Sequence, residues 1–392
     1  MKSKIAIVAS FLKDATLVWK YPRKTKALIF DARTGFPLLD VIDPQHTGLM
    51  YHATETLNVW IALRCVGSGK LSLQDYVKHY IRAVDPSVVI TLTDNAISFY
   101  RLKSEFPHIT FIAHQSSVRG ENRDLFDDLK SHTQLRCDYI FVFNPNIGER
   151  YRRHIDAEII SAGSLISNFL PESPPRENRD LVLISEFRKT NPGHSRINLT
   201  HKSGRPVTYE DLYRHERMVV PFLADYCLLR GLNFKICGTK AHSYSEEEAF
   251  YRKILGDRKY QYIPRTSWYS NYQVVFDAWY VVFTNSTLGH ECLGRGKRVA
   301  CLSARGAEFV ESADYKFGWP LALPDSGPFW TNHSDTDEFT RVLDYVTTVG
   351  DAEWTETWRK YGPDQMDYDP GNTRLKALLE RLGMPTRNEP SL

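Results

Sequence analysis

The sequence predicts an α/β protein made of two Rossmann-like domains, each with helices covering a mostly parallel sheet. Three observations support this fold class: the length of 392 residues, short apolar runs that alternate with segments of helical periodicity, and a proline-rich break near the middle. At roughly 100–200 residues per domain, the length favours two domains. Hydrophobic residues make up 42% of the chain and charged residues 25%, which is ordinary for a globular protein.

The first half contains five apolar runs with the length and the Val, Ile and Phe content of strands. They lie at Ile5–Ser10, Val88–Thr93, Thr110–His114, Tyr139–Asn144 and Glu158–Ser161. Runs that are apolar throughout are typical of parallel strands covered on both faces. Segments with a helical period lie between them, at Leu73–Val84 and Asp124–Gln134. This repeat predicts right-handed βαβ crossovers in a first domain over residues 1–170.

A linker is predicted at residues 168–179, which contain three prolines and several charges. The strand and helix pattern then begins again, so we expect a second Rossmann-like domain over residues 179–392 with helices in its C-terminal part. Its strands are predicted at Leu181–Ser185, Asn233–Cys237, Tyr260–Pro264, Tyr280–Asn285 and Arg298–Leu302. Its helices are predicted at Tyr209–Leu229, Glu246–Leu255, Leu288–Arg295 and within Asp335–Leu382.

The charge of the chain indicates which partners to expect, and its cysteine content indicates the cellular compartment. The formal net charge of +3 gives no whole-protein electrostatic basis for binding nucleic acid. The basic run Lys20–Lys26 is interpreted as solvated surface, and contact with a membrane surface or an acidic acceptor is the alternative. Six cysteines without zinc spacing favour free buried thiols in a reducing compartment. We therefore expect a cytoplasmic protein, with peripheral contact to the inner membrane as an open alternative.

The segment Val281–Val299 is the most informative for function. An apolar strand ends at Phe283, and the polar residues Asn285, Ser286 and Thr287 lead into a helix. Backbone N–H groups at a helix start, together with two hydroxyl groups, favour a phosphate. We therefore predict that Asn285, Ser286 and Thr287 bind the phosphate of a nucleotide-sugar donor. An ordinary capped helix is the structural alternative.

Two further residues of this helix are candidates for donor contacts. Gly289 lacks a side chain and would let a ligand approach the first turn. Glu291 lies four residues after Thr287, on the same helix face, and would meet a ribose or sugar hydroxyl.

With these residues, the segment resembles the donor-binding stretch of GT-B glycosyltransferases, in which small polar residues and Gly precede a Glu and a Gly-Lys/Arg-x-Val strand. Residues 285–303 more narrowly resemble bacterial surface-carbohydrate biosynthesis proteins, among them the retaining β-Kdo transferases, which use CMP-Kdo. The likeness also includes the segments 207–216, 234–242, 317–320 and 327–332, and LTDN and AHQSSVRG in the first half.

The resemblance implies a GT-B fold, with two Rossmann-like domains facing each other across a cleft, an acceptor domain first and a donor domain second. It further implies transfer of Kdo from CMP-Kdo to a glycan or glycolipid acceptor, lipopolysaccharide O-antigen or capsule, with retention. An Asp within residues 207–218 would act as nucleophile and form a covalent glycosyl adduct. Asp211 matches that place best, while Glu210 and Glu216 stay open. Thr208 and Asp211 also form a capping-box pattern, which is the structural alternative.

The resemblance places His242 near the sugar and its leaving phosphate, with an ordinary surface-loop histidine as the structural alternative. His242 would stabilise the departing CMP when protonated. Three further residues are candidates because of their positions in the sequence. Lys240 would serve the phosphate or the sugar carboxylate. Glu186 and Arg188 follow a predicted strand end, and the arginine would fork onto a sugar carboxylate.

In the first domain, polar residues follow two predicted strands, where the carboxyl ends of a parallel sheet present ligand contacts. Asp94 and His114 are candidates for general base or acceptor contact, and Gln115 and Arg119 for acceptor contact. Turn formation by these polar residues is the structural alternative.

The sequence lacks a Gly-x-Gly-x-x-Gly or Walker-type phosphate loop, which argues against a dinucleotide enzyme or kinase. No Asp-x-Asp follows a predicted strand, so we expect no obligatory metal and no cofactor beyond the donor. The alternatives within this architecture are an NDP-sugar-dependent transferase and a sugar-nucleotide epimerase. A non-catalytic sugar-binding protein is an alternative from another class.

Overall fold

The computed structural model describes residues 15–51, 56–69, 72–121, 124–171, 178–187, 199–240, 244–310 and 313–387. The strands are β1 Thr16–Val18, β2 Ala27–Ile29, β3 Thr47–Leu49, β4 Thr56–Asn58, β5 Val88–Thr91, β6 Thr110–His114, β7 Leu135–Val142, β8 Ile155–Ser161, β9 Asp180–Ile184, β10 Asn233–Cys237, β11 Gln261–Ile263, β12 Tyr280–Phe283, β13 Arg298–Leu302, β14 Ser326–Gly327 and β15 Trp330–Thr331. The α-helices are α1 Ala32–Gly35, α2 Val59–Gly67, α3 Leu73–Val84, α4 Ile97–Glu105, α5 Leu125–Lys130, α6 Pro145–Arg152, α7 Leu165–Phe169, α8 Tyr209–Arg230, α9 Tyr244–Leu255, α10 Ser270–Asp277, α11 Thr287–Gly294, α12 Thr336–Thr348, α13 Asp351–Gln365 and α14 Thr373–Arg381.

The chain divides into two compact units. The first contains the described residues up to Ser116, Leu129–Leu170 and the described residues from Asp369 onward, and the second contains Ser117–Asp128 and Pro171–Tyr368. One boundary between the units falls between Leu170 and Pro171, and two segments belong to the unit on the other side of it. Residues 117–128 cluster with the second unit, and α14 clusters with the first. Helix α14 does so because Leu375 and Leu378 are buried in the first unit's core.

The first unit is built on a parallel sheet with strand order β3-β2-β5-β6-β7-β8. Its central strands are apolar on both faces, and all four residues of β5 are buried, as expected for a sheet with helices on both sides. A separate parallel pair, β1 with β4, lies outside this sheet. The predicted strand Ile5–Ser10 lies outside the described residues.

The second unit has a seven-stranded sheet with order β11-β10-β9-β12-β13-β15-β14, in which only the short β14–β15 pair is antiparallel. The chain enters at the central strand β9, adds β10 and β11 on one side, and then returns to add β12 and β13 on the other. This is the doubly wound order of the Rossmann fold, and the strand order reverses between β9 and β12. Ligands of open parallel sheets bind outside the carboxyl ends of the strands at such a reversal.

Candidate functional site

Glu186 lies at the reversal of strand order in the second unit. It follows β9 by two residues, and Thr284 and Asn285 follow β12 directly. One oxygen of the Glu186 carboxylate accepts a hydrogen bond from Thr284 Oγ1 at 2.5 Å and another from the backbone N–H of Asn285. The carboxylate therefore bridges the ends of the two strands at the place where the fold predicts a ligand.

Arg305 lies beneath this carboxylate, in a 3₁₀ turn that follows β13. Its guanidinium forms ion pairs with Glu186 and with Glu216 of α8, and the Arg305 and Glu216 side chains are 5% and 6% exposed. A buried charge is tolerated when it is paired. One buried cation is therefore shared by two carboxylates, which makes this cluster a strongly coupled polar core below the candidate site.

Two buried histidines lie close to this cluster. Burial, helped for His215 by the charge of Arg305, lowers the pKa of His215 and His290 to about 4. The His215 Nε2 donates to the carbonyl oxygen of Leu302 at 2.7 Å. The His290 ring stacks on Phe317 with a centroid distance of 5.9 Å. Both imidazoles are thus neutral at pH 7 and supply polarity to the site without positive charge.

The residues predicted to bind phosphate do lie at the start of α11. Ser286 is the N-cap residue, and its side chain makes no capping hydrogen bond. Thr287 Oγ1 accepts a hydrogen bond from the N–H of Val118 at 3.1 Å and lies 3.4 Å from Ser117 Oγ. Because the N–H of Asn285 donates to Glu186, the donors left for an anion here are those of Ser286 and the first turn of α11.

The structure gives Gly289 and Glu291 partners within the protein. A Cβ built on Gly289 would lie 2.1 Å from the Phe283 ring, so glycine is needed for α11 to pack on β12. Glu291 is 2% exposed, and its carboxylate accepts a hydrogen bond from the Tyr272 hydroxyl at 3.1 Å. The first contact fixes α11 on β12 and the second joins it to α10. The predicted ligand contacts of both residues stay predictions.

Arg119 belongs to the second unit, which corrects its predicted placement in the first domain. It is 9% exposed, and its carbonyl oxygen accepts a hydrogen bond from Trp319 Nε1 at 2.9 Å. The next residue, Gly120, lies against Asp314, where a Cβ would come within 2.5 Å of a carboxylate oxygen. The loop that follows β6 therefore packs beside the start of α11 and brings Arg119 to the predicted donor residues.

Asp211 has the structural role that its spacing allows. Thr208 caps α8, and Thr208 and Asp211 form the complete capping box. The two carboxylate oxygens of Asp211 also accept from the Arg205 guanidinium at 2.6 and 2.7 Å, and this contact holds the pKa of Asp211 well below its usual range. Asp211 is therefore ionised, as a nucleophile requires, but the capping box and the ion pair engage both oxygens. Its role as nucleophile stays a prediction.

Three other residues were predicted to lie near the sugar and its leaving phosphate. His242 and Arg188 lie outside the described residues. The N–H of Lys240 donates to the buried carboxylate of Glu247 at 3.2 Å, while the Lys240 side chain is exposed.

The candidate acceptor residues of the first unit are buried and hydrogen-bonded. Asp94 accepts from the Tyr151 hydroxyl at 2.6 Å and from the N–H of Ser116 at 3.1 Å. Gln115 Oε1 accepts from the N–H of Phe143 at 2.9 Å. These long-range contacts hold the carboxyl edge of the first sheet together, and the predicted acceptor roles of Asp94 and Gln115 stay predictions.

His114 differs from these two residues in keeping one ring nitrogen unused. Its Nδ1 donates to the Gln115 carbonyl oxygen at 3.0 Å, and its Nε2 is buried without a partner within the described ranges. Burial lowers the pKa of His114 to about 4. The ring is therefore a neutral base with a free lone pair, and its predicted role as general base stays a prediction.

Arg305 was not among the residues predicted from the sequence, and Glu216 entered only as an alternative to Asp211. Arg305 follows β13 by three residues, so the rule that carboxyl ends of parallel strands present ligand contacts identifies its position. Its pairing with Glu216 depends on how α8 crosses the sheet, and local sequence does not contain that information.

Comparison with known proteins agrees with this architecture. The two doubly wound units are those of a GT-B protein. The family model described as "putative O-antigen biosynthesis protein" matches residues 112–383, so the chain belongs to this O-antigen biosynthesis family. No curated protein matches the chain.

Two solved structures illustrate the shared fold. A structure described as a "putative UDP-N-acetylglucosamine 2-epimerase" from Listeria monocytogenes has a TM-score of 0.54 at 13% identity, over 94% of this chain and 99% of that one. The UDP-GlcNAc 2-epimerase of Methanocaldococcus jannaschii, in complex with UDP-GlcNAc and UDP, has a TM-score of 0.50 at 9% identity, over 91% and 99%. At these identities the likeness establishes the fold.

The described part of the chain lacks two further features. Its His, Cys, Asp and Glu residues form no group of three suited to hold a metal ion. None of its helices combines the length and apolar character needed to cross a bilayer.

Proposed function

We propose that this protein is a glycosyltransferase that uses a nucleotide-sugar donor in O-antigen biosynthesis. The observation that carries the proposal is the position of Glu186, which links Thr284 and Asn285 across the strand-order reversal beside the start of α11. Membership of the O-antigen biosynthesis family supports surface-glycan assembly as the setting. In this proposal the second unit binds the donor.

The donor phosphate is placed at the N-terminus of α11. The hydroxyl of Ser286 is not used to cap the helix, and the first-turn N–H groups favour an anion. The Glu186 carboxylate disfavours an anion placed directly on Asn285, so the phosphate lies on the Ser286 and Thr287 side. Arg119 is brought to the same edge by the loop that contacts Thr287 and supplies positive charge there.

The reaction breaks the bond between the anomeric carbon and the phosphate oxygen, and the electron pair leaves with the nucleotide. In a retaining reaction, a carboxylate first bonds to the anomeric carbon, and the acceptor hydroxyl then displaces it while losing its proton to a base. The resemblance assigns the attack to Asp211, for which Arg205 keeps the carboxylate ionised. For the attack, one Asp211 oxygen would have to break its hydrogen bonds with Thr208 or Arg205.

As donor we propose CMP-Kdo, on the likeness of residues 285–303 to the surface-carbohydrate proteins that use it. Thermal unfolding with CMP, UDP, GDP and ADP tests the nucleotide. A nucleotide at 100 times its Kd should stabilise the protein by about 2.7 kcal/mol. Stabilisation by CMP alone supports CMP-Kdo. Stabilisation by UDP alone, with conversion of UDP-GlcNAc and no sugar transfer, would instead identify an epimerase.

The site itself is tested by Ser286→Ala, which removes one predicted phosphate contact and should weaken binding of the stabilising nucleotide about tenfold. Thr336→Ala is the matched control, because Thr336 begins α12, a different helix of the same unit. Equal nucleotide affinity in the Ser286 variant, the control and the unmodified protein would refute the proposed phosphate position.

The nucleophile is tested by the intact mass of the protein after exposure to CMP-Kdo. A mass increase of one sugar that is absent in Asp211→Asn supports Asp211. Thr208→Ala is the matched control, because it weakens the same capping box while keeping the carboxylate. An adduct that persists in Asp211→Asn would show that another residue is the nucleophile. Equal loss of transfer in both variants would show that Asp211 acts through helix capping.

A further inference from the structure

The first unit has a continuous aromatic and apolar surface that no other described element covers. We define the aromatic patch as Leu17, Trp19, Trp60, Leu63 and Val66, whose exposed fractions are 42%, 67%, 49%, 55% and 63%. Singly exposed apolar side chains are normal, but several large ones on adjacent elements mark a binding surface.

Hydrogen bonds and a ring contact join the two elements that carry the patch. Trp60 Nε1 donates to the carbonyl oxygen of Trp19 at 2.6 Å, and Asn58 Nδ2 donates to that of Lys20 at 2.8 Å. The Arg64 guanidinium lies 5.1 Å from the centroid of the Tyr21 ring. The segment after β1 and the helix α2 therefore form one surface.

Helix α2 explains why this surface needs a partner. Its inner face is apolar, with Ile61 and Cys65 buried in a small core cluster. Its outer face is apolar as well, through Trp60, Leu63 and Val66. A helix that is apolar all round is normally covered on both faces, whereas the outer face of α2 lies open.

The charge around the patch indicates what covers it. Residues 15–26 and 56–69 contain five cations and no carboxylate, whereas the whole chain has a net charge of +3. Lys20 and Arg64 are exposed on the two elements that carry the patch. The other three cations have partners beyond the patch: Arg23 donates to the carbonyl oxygens of Pro44 and Thr47, Lys24 pairs with Asp85 at 3.0 Å, and Lys26 donates to the carbonyl oxygen of Gly383. A second copy of the same patch would bring like charges together, while an anionic surface complements them.

We propose that the aromatic patch docks the first unit on an anionic membrane surface. The two indole rings and the leucines would enter the interfacial region, where tryptophan is favoured because its ring is apolar and its N–H polar. Lys20 and Arg64, on the same two elements, would meet the lipid phosphates. Together these groups supply the two signals, apolar and electrostatic, that stable peripheral binding requires.

Flotation of the full chain with lipid vesicles tests the proposal. We expect binding to vesicles of phosphatidylcholine with a third phosphatidylglycerol, and much weaker binding to pure phosphatidylcholine or at high salt. Lys20→Ala should weaken binding about fivefold. Leu63→Ser should weaken it about tenfold, and Trp60→Ala provides a second apolar variant should one of them fail to fold.

Matched controls distinguish vesicle binding through the aromatic patch from nonspecific adsorption of the protein to vesicles. Lys253→Ala removes an exposed lysine of the second unit, and Leu228→Ser with Leu229→Ser removes the two most exposed leucines of α8. These controls should bind vesicles like the unmodified protein. Equal loss in controls and patch variants, or no binding to anionic vesicles, would overturn the proposal.

Two more measurements distinguish membrane docking from dimer formation and from donor binding. Sedimentation velocity would reveal a dimer that dissociates in Leu63→Ser, and such a dimer would overturn membrane docking in favour of a second copy. Nucleotide stabilisation of Lys20→Ala should match that of the unmodified protein, because the patch belongs to the first unit and the proposed donor residues to the second. Vesicle binding without any nucleotide stabilisation would leave the docking surface intact and refute the proposed function alone.

Discussion

Thr284 Oγ1 donates a 2.5 Å hydrogen bond to the Glu186 carboxylate, joining the residues that follow two neighbouring strands at the reversal of the second sheet. The first unit contains a similar contact. There, Thr93 Oγ1 donates to the Asp31 carboxylate at 2.7 Å, and these residues follow β5 and β2. In both units a threonine and a carboxylate thus tie the carboxyl ends of adjacent parallel strands.

Loss of either hydroxyl should destabilise its own unit. A hydrogen bond to a charged group contributes about 1.5–3 kcal/mol, so Thr284→Val and Thr93→Val should each lower the free energy of unfolding by about that amount in urea. Thr284→Ser keeps the hydroxyl and should lose far less. If the valine and serine variants are equally stable, the hydrogen bond is not what holds the strand ends.

Arg305 should be the most sensitive position of the buried cluster. Arg305→Met leaves the carboxylates of Glu186 and Glu216 without their shared cation, and breaking a buried pair costs about 3–5 kcal/mol. Glu216→Gln should cost less, because Arg305 keeps its ion pair with Glu186. Urea unfolding of both variants checks the order.

The double variant provides the control for this prediction. If Arg305 stabilises the fold by neutralising Glu216, adding Glu216→Gln to Arg305→Met should recover part of the lost stability. Strictly additive losses would mean that the two residues act independently.

The sequence predicted strands β5 to β13, because their signals are local, but it did not predict β2 and β3 of the first sheet or the helices α4 and α6. All four residues of β5 are buried, as expected for an apolar run, and the capping box of α8 has the predicted partners. Tertiary contacts explain what the sequence did not predict. Leu375 and Leu378 of α14 have a helical period that suits either unit, and only packing determines that they join the first.

The candidate site likewise combines features that the local sequence predicts with features that only tertiary contacts determine. The start of α11 follows from the turn at Ser286, but the contact of Thr287 with Val118 joins residues 169 positions apart. Gly289 illustrates an ambiguity of the pattern. A glycine in a first turn is compatible with a ligand or with a neighbouring side chain, and here the space contains the Phe283 ring.

Three buried histidines should make the protein acid-sensitive. Burial lowers the pKa of His114, His215 and His290 to about 4, whereas an exposed histidine of the unfolded chain titrates near 6.5. Between these values the unfolded chain binds more protons. Their contribution is therefore complete above pH 6.5 and is lost as the pH falls toward 4, by about 2 kcal/mol per histidine at pH 5.

Urea unfolding between pH 7.5 and 5 measures this loss. The slope of stability against pH should become shallower when one of these residues is replaced, as in His114→Asn. Replacement of the exposed His108 should leave the slope unchanged. A stability that is flat from pH 7 to 5 would mean that the three imidazoles take up protons in the folded state as readily as in the unfolded chain.

Gly289 and Gly67 form a matched pair for testing the packing of α11. Both lie in helices, where alanine is intrinsically favoured over glycine by about 1 kcal/mol. A Cβ at Gly67 would meet nothing within 4 Å, whereas one at Gly289 would lie 2.1 Å from the Phe283 ring. Gly67→Ala should therefore stabilise the protein slightly, and Gly289→Ala should destabilise it by about 1–3 kcal/mol through overpacking.

Adding Phe283→Leu to Gly289→Ala should recover part of that loss, because the smaller side chain makes room for the methyl group. Thermal unfolding of these three variants tests the prediction, and a Gly289→Ala variant as stable as Gly67→Ala would mean that α11 does not pack directly on β12.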